Sequence, residues 1–301
     1  MRLVSFFAVC CCAAIAVPPP RACAKDSDAQ KAVRAIAKDS PCDFVRVFYD
    51  SQAVGKRQGY GIFVPASYDA KKPAPLVVFL HSWWTDFEDK QWLRVTEIPG
   101  TIQDQCNRRG WVAIAPEANG NSWYAGKAEA QVLETVDQIQ KYVNVDANRL
   151  YLVGRSMGGA GALSIAVHHP DRVAGVVALA GVSDYVEYCN GNKDLLLGEK
   201  PGSVRLAFEG LPGDKPEVYR SMSAIHFADT LKKMPVYLIH GEADDIVPVK
   251  QSQALIKLLE PGGKLKYKLV PGEKHNMEMI EWFAADYFKF LDDNPPAKKK
   301  P

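Results

Sequence analysis

Residues 150–160 read Leu150-Tyr151-Leu152-Val153-Gly154-Arg155-Ser156-Met157-Gly158-Gly159-Ala160. An apolar run with strand character passes through G-x-S-x-G into a stretch that opens on small residues, which predicts strand, tight turn and helix in succession. A turn of this kind holds the Ser156 oxygen proud of a sheet, and side chains at 154 and 158 would collide across it. An ordinary tight turn with a capping serine uses the same letters, so partners elsewhere in the chain must decide what Ser156 does.

Outward from this point the pattern is regular. Candidate strands lie at Phe44–Tyr49, Tyr60–Val64, Leu76–Leu80, Trp111–Ala115, Leu150–Gly154, Val176–Leu179, Val236–His240 and Leu265–Val270. From the third onward they alternate with helix-like stretches at Val95–Arg109, Glu129–Val143, Met157–His168, Lys250–Leu259 and Asn276–Leu291. Runs such as Leu76-Val77-Val78-Phe79-Leu80 leave no polar face, as expected of parallel strands covered on both sides. The expected fold is therefore three-layer α/β: a mostly parallel eight-stranded sheet with helices on both faces. Residues 182–235 break the alternation and are expected to fold over the sheet as a small cap.

A serine hydroxyl at its normal pKa is a poor nucleophile and needs a base, which in turn needs an orienting carboxylate. Two loops past candidate strands supply both: His240-Gly241-Glu242-Ala243-Asp244-Asp245 and Pro271-Gly272-Glu273-Lys274-His275. Each sits at a strand's carboxyl end, where an open α/β sheet gathers its functional groups, so Ser156, Asp244 and His275 can converge. Asp245 competes with Asp244 for the orienting role, and Asp244 is preferred for its offset from His240. His240 reads as structural, His168 and His169 as partners of a helix carboxyl end, and the role of His226 is open.

A tetrahedral intermediate also needs two backbone N–H donors. The Met157 amide, opening the helix, is one; the Trp83 amide, in the turn His81-Ser82-Trp83-Trp84, is the expected second. Trp83 and Trp84 either wall a substrate pocket or pack beside the strand. Ser82 occupies the position after the histidine where this turn usually carries glycine.

These motifs resemble the α/β-hydrolase superfamily over nearly the whole length from Lys25 onward. Residues 219–275, with Met234-Pro235-Val236-Tyr237-Leu238-Ile239-His240-Gly241-Glu242-Ala243-Asp244-Asp245-Ile246-Val247-Pro248 and Pro271-Gly272-Glu273-Lys274-His275, are similar to the catalytic domain of prolyl-oligopeptidase-type serine hydrolases. Val145-Asp146-Ala147-Asn148-Arg149-Leu150 is shared with secreted feruloyl-esterase and polyhydroxyalkanoate-depolymerase-like enzymes. The resemblance implies a Ser156–His275–Asp244 triad acting through an acyl-enzyme, with no metal or organic cofactor. It departs from the peptidase pattern at Ser223-Ala224, where Ser-Pro is frequent, and no propeller-sized segment precedes the core. Ester hydrolysis is the favoured expectation, with peptide hydrolysis, acyl transfer to another alcohol and a non-catalytic binding module on the same fold as rivals.

At 301 residues, 47% hydrophobic and 24% charged, the composition is that of a globular chain and excludes coiled coil, collagen and wholesale disorder. Met1-Arg2, the apolar stretch Leu3–Val17 and Ala22-Cys23-Ala24 read as a secretory signal, residues 1–24, with export to the periplasm or exterior. The stretch is shorter than the roughly 20 residues a membrane-spanning helix needs. Residues 25–43 form a lead-in, 44–292 the hydrolase domain and 293–301 a basic tail. Without Arg2 and Arg21 the basic and acidic side chains balance, which gives no footprint for nucleic acid. Cys42, Cys106 and Cys189 then remain, an odd set that allows one disulfide at most.

Overall fold

The computed structural model describes residues 45–83, 95–191 and 202–296. Eight strands form a single sheet: β1 (Val45–Ser51), β2 (Lys56–Phe63), β3 (Ala74–Leu80), β4 (Val112–Pro116), β5 (Val145–Arg155), β6 (Gly175–Leu179), β7 (Pro235–Gly241) and β8 (Lys264–Val270), in the order β1-β2-β4-β3-β5-β6-β7-β8. β2 runs antiparallel to both β1 and β4, and every other neighbouring pair is parallel. This is the α/β-hydrolase architecture.

The apolar runs are sorted by strand alternation into two cores. Leu76, Val78, Leu80, Leu150, Leu152, Val236 and Leu238 face one side, while Val77, Phe79, Tyr151, Val153, Tyr237 and Ile239 face the other. The first side is covered by α2 (Lys127–Tyr142), α3 (Met157–His168) and α8 (Lys250–Leu259), the second by α1 (Gly100–Arg109), α9 (Met279–Trp282) and α10 (Ala284–Asp293). In α2, Val132, Val136 and Ile139 recur at helical spacing and are buried, so one face of the helix is apolar. α3 is buried from Met157 to Val167, which explains why its sequence is apolar on all sides.

Several expected boundaries move for local reasons. The helix read from Val95 starts at Gly100, because Pro99 takes an extended conformation (φ −52°, ψ 139°), and it stops at Gly110 in a left-handed cap. The stretch read as one helix over Asn276–Leu291 is two, α9 and α10, parted at Phe283 (φ −102°, ψ 12°). β5 begins at Val145, earlier than the apolar run, where Val145 pairs with Ala74 across a register shift. Its polar start is held by Arg149, which pairs with Asp146 and donates to the Pro73 carbonyl.

Between β6 and β7 the described residues form α4 (Tyr185–Gly191), α5 (Val204–Ala207), α6 (Pro216–Met222), a 3-10 turn (Ala224–Phe227) and α7 (Ala228–Leu231). The turn and α7 pack against α3 and α8. Cys106 and Cys189 are free, buried thiols in opposite cores, so the possible disulfide does not join these two. Burial pushes the Cys189 thiol up to about 12. Cys42, Trp84 and the segment read as a secretory signal lie outside the described residues. Among the described residues no helix is long and apolar enough to cross a membrane.

Candidate active site

Ser156 stands between β5 and α3 with φ 54° and ψ −119°, a conformation costing a non-glycine residue on the order of 1–3 kcal/mol. Its amide donates to the Leu179 carbonyl at 2.7 Å, which ties the turn to β6. The two flanking glycines are required by space. A Cβ at 154 would overlap the Gly158 carbonyl, and one at 158 would overlap the Leu80 carbonyl and lie 2.7 Å from that of His81. The elbow is thus pressed directly against the end of β3.

The loops after β7 and β8 are stitched together: Glu242 N–H donates to Val270 and Ala243 N–H to Glu273. This brings His275 between the other two groups. Ser156 Oγ lies 2.9 Å from His275 Nε2, and His275 Nδ1 lies 2.7 Å from Asp244 Oδ2. With a carboxylate on one side, Nδ1–H is the donor and Nε2 accepts from the serine. The other carboxylate oxygen, Oδ1, accepts from the amides of Ile246 and Val247 at 3.0 and 2.8 Å. Asp245 points away into an ion pair with Lys274 at 3.3 Å, so Asp244 is the residue in contact with His275.

His240 is fully buried beneath this loop. Its Nε2 donates to the Val247 carbonyl at 2.8 Å and lies 3.3 Å from Asp244 Oδ2, and its Nδ1 accepts from Ser252 at 2.7 Å. Burial pushes the Asp244 carboxyl up, but hydrogen bonds from His240 and His275 and the His275 charge outweigh it and hold the group well below the usual carboxylate range. Asp244 is therefore ionised at neutral pH.

Met157 is the first residue of α3, and its amide is among those a helix leaves without an internal acceptor. Trp83 follows β3 in a turn braced on several sides. The His81 ring lies 2.8 Å from the Ser82 carbonyl and 3.0 Å from that of Glu117, and Tyr124 OH donates to the His81 carbonyl at 3.1 Å. Burial holds the His81 ring below the ordinary histidine range, against the opposing pull of the Ser82 and Glu117 carbonyls. The Trp83 indole does not stand free beside the strand: it and the Trp123 indole both donate to the Gly202 carbonyl, at 3.1 and 2.8 Å. Sequence reasoning did not single out Trp123 or Tyr124. Their signal was weak, since both lie in the loop after β4, where Ala118, Asn119, Trp123 and Tyr124 all take positive φ.

His168 and His169 lie at the far end of α3 and share one carboxylate, Glu129, at 2.8 and 2.7 Å; His168 Nε2 also reaches the Ser221 carbonyl. Among the described residues no three His, Cys, Asp or Glu side chains are grouped to hold a metal ion.

Residues 118–294 match the prolyl oligopeptidase family. The "uncharacterized peptidase YtmA" of Bacillus subtilis is 27% identical over 168 residues, 54% of this chain and 63% of that protein. Dipeptidyl-peptidase 5 of Porphyromonas gingivalis is 23% identical over 243 residues, 77% of this chain and 35% of that protein. The chain thus spans less than two thirds of either relative. Among solved structures, FphF of Staphylococcus aureus, a fluorophosphonate-binding serine hydrolase, superposes with a TM-score of 0.64 at 17% identity, covering 84% of this chain and 99% of that one, a likeness of fold. With more than half its length matched, and with Ser156, Asp244 and His275 in one hydrogen-bonded series, the chain belongs to the prolyl oligopeptidase family.

Proposed function

We propose that the protein is an exported serine hydrolase that cleaves carboxylic esters through an acyl-enzyme. The observation that carries this reading is the run of hydrogen bonds from Ser156 Oγ through His275 to Asp244, on an elbow that holds the serine in a strained conformation. In this reading His275 takes the Ser156 proton as the oxygen attacks the carbonyl carbon, and the Met157 and Trp83 amides hold the oxyanion. Asp244 stays ionised and stabilises the imidazolium. His275 then protonates the leaving group, and water, activated by the same imidazole, releases the acid and restores Ser156.

Two observations bear on substrate. The family match and the peptidase relatives favour an amide bond. The segment Val145-Asp146-Ala147-Asn148-Arg149-Leu150, which resembles that of secreted feruloyl-esterase-like enzymes, favours an ester. The export reading rests on residues 1–24.

The test is labelling of the purified protein with a fluorophosphonate beside Ser156→Ala, followed by hydrolysis of aryl and alkyl esters against dipeptidyl and prolyl amides. Labelling of the wild type alone, with turnover of esters at least tenfold above amides, is expected. Amide turnover at the higher rate would replace the esterase reading with the peptidase one, and a folded wild type that takes no label would refute both.

A further inference from the structure

We propose that the hydroxyl of Ser82 is a positioning group that sets the oxyanion-holding turn against both the nucleophile elbow and the histidine loop. The proposal rests on the hydrolase reading above and deepens it. Ser82 is buried, and its Oγ lies 3.2 Å from the Arg155 carbonyl and 3.4 Å from Met277 Sδ. Each contact is next to a reacting group: Arg155 precedes Ser156, Met277 lies two residues past His275, and Ser82 itself precedes Trp83. One small side chain therefore touches the backbone or side chain flanking all three parts of the site.

The hydrogen bond continues the sheet where the sheet stops. Pairing of β3 with β5 ends at Leu80 and Gly154, so the Arg155 carbonyl lies one step past the ladder, and the Ser82 hydroxyl gives it a donor. A hydroxyl has one hydrogen, and a carbonyl accepts better than a thioether, so the proton points to Arg155 and the sulfur packs on the oxygen. The other side-chain bonds on this turn lead elsewhere: the His81 ring reaches Ser82's own carbonyl and that of Glu117, Tyr124 donates to the His81 carbonyl, and the Trp83 indole donates to Gly202. Ser82 alone of these ties the turn to β5 and the loop after β8. An oxyanion donor displaced by about 1 Å can cost up to about a hundredfold in rate, while ground-state binding of a small ester barely senses the shift.

The experiment measures kcat and KM for an aryl acetate with the full-length protein, with rates expressed per site titrated by a fluorophosphonate so that only folded molecules count. Ser82→Ala is expected to lose about tenfold in kcat with KM within about twofold of wild type. Ser82→Thr, which keeps the hydroxyl, is expected to stay within about threefold of wild type, and Met277→Leu within about twofold, since the bond to Arg155 survives in both. A Ser82→Ala protein with wild-type kcat per titrated site, a loss confined to KM, or a Met277→Leu protein as impaired as Ser82→Ala would each overturn the assignment. A wild type that neither takes the probe nor turns over the ester would refute the hydrolase reading, whereas an active wild type matched by Ser82→Ala refutes only the role of Ser82.

Discussion

The buried imidazole of His240 lies 3.3 Å from Asp244 Oδ2, the same carboxylate oxygen that His275 approaches at 2.7 Å. Two histidines thus converge on one oxygen, one in contact with Ser156 and one sealed in the core. His240 occupies both its ring nitrogens, on Val247 and Ser252, and so anchors the loop whose amides bind Oδ1. Replacement by leucine keeps the volume but strands the Val247 carbonyl and the Ser252 hydroxyl. His240→Leu is expected to lose about 1–3 kcal/mol in denaturant unfolding.

The same substitution should change acid tolerance. Asp244 is held below its unfolded value, so its stabilisation is complete above the ordinary carboxylate range, ~3.9, and disappears as pH falls through the folded value. Without His240 the folded value rises towards the ordinary one, and less stabilisation remains at neutral pH. The midpoint of acid unfolding, followed by circular dichroism, is expected to move to higher pH in His240→Leu, and an unmoved midpoint would count against the brace.

At the other end of α3 the sign is reversed. His168 is held above the ordinary histidine value, chiefly by its hydrogen bond to Glu129, with burial opposing and Ser221 assisting. Its stabilisation is complete below the unfolded value, ~6.5, and is lost as pH rises through the folded one. The difference in Tm between wild type and His168→Gln is therefore expected to be largest in mild acid and to shrink in alkali, as thermal melts across that range would show.

Gly158 is the most constrained position of the elbow. A Cβ there overlaps the Leu80 carbonyl, and the nearest atoms, from Leu80 and His81, are all backbone, which leaves no flexible side chain to yield. Gly158→Ala is expected to destabilise by the upper part of about 1–3 kcal/mol or more and to abolish fluorophosphonate labelling, read by denaturation and by gel. Retained labelling would mean that β3 and the elbow can separate without loss of the site.

The Trp83 and Trp123 indoles share one acceptor, the Gly202 carbonyl. Either donor alone satisfies it, so Trp83→Phe and Trp123→Phe should each cost less than the double variant demands. In a double-mutant cycle the pair is expected to lose more than the sum of the singles, by about 0.5–1.5 kcal/mol. Additivity would indicate that Gly202 finds another donor.

Much of this architecture is legible along the chain because its causes are local. A strand buried on both faces must be apolar throughout, so Leu76–Leu80 and Leu150–Gly154 announce themselves. The boundaries read wrongly were those set by something other than hydrophobicity: Pro99 delaying α1, Phe283 dividing α9 from α10, and the polar start of β5 recruited by pairing with Ala74.

The site divides along the same line. The sequence by itself determined that Ser156 sits on a strained turn, because the glycines at 154 and 158 are intelligible only where backbone meets backbone, and that Asp244 and His275 lie on loops at the same end of the sheet. It could not choose between Asp244 and Asp245 by contact. That choice is made by the stitching of two loops, which turns one carboxylate onto His275 and the amides of Ile246 and Val247 and leaves the other to Lys274. Nor could it place Ser82 beside Met277, 195 residues away, or two indoles on Gly202. Such contacts join segments far apart in the chain, and only the strand order of the folded sheet brings them within hydrogen-bonding distance.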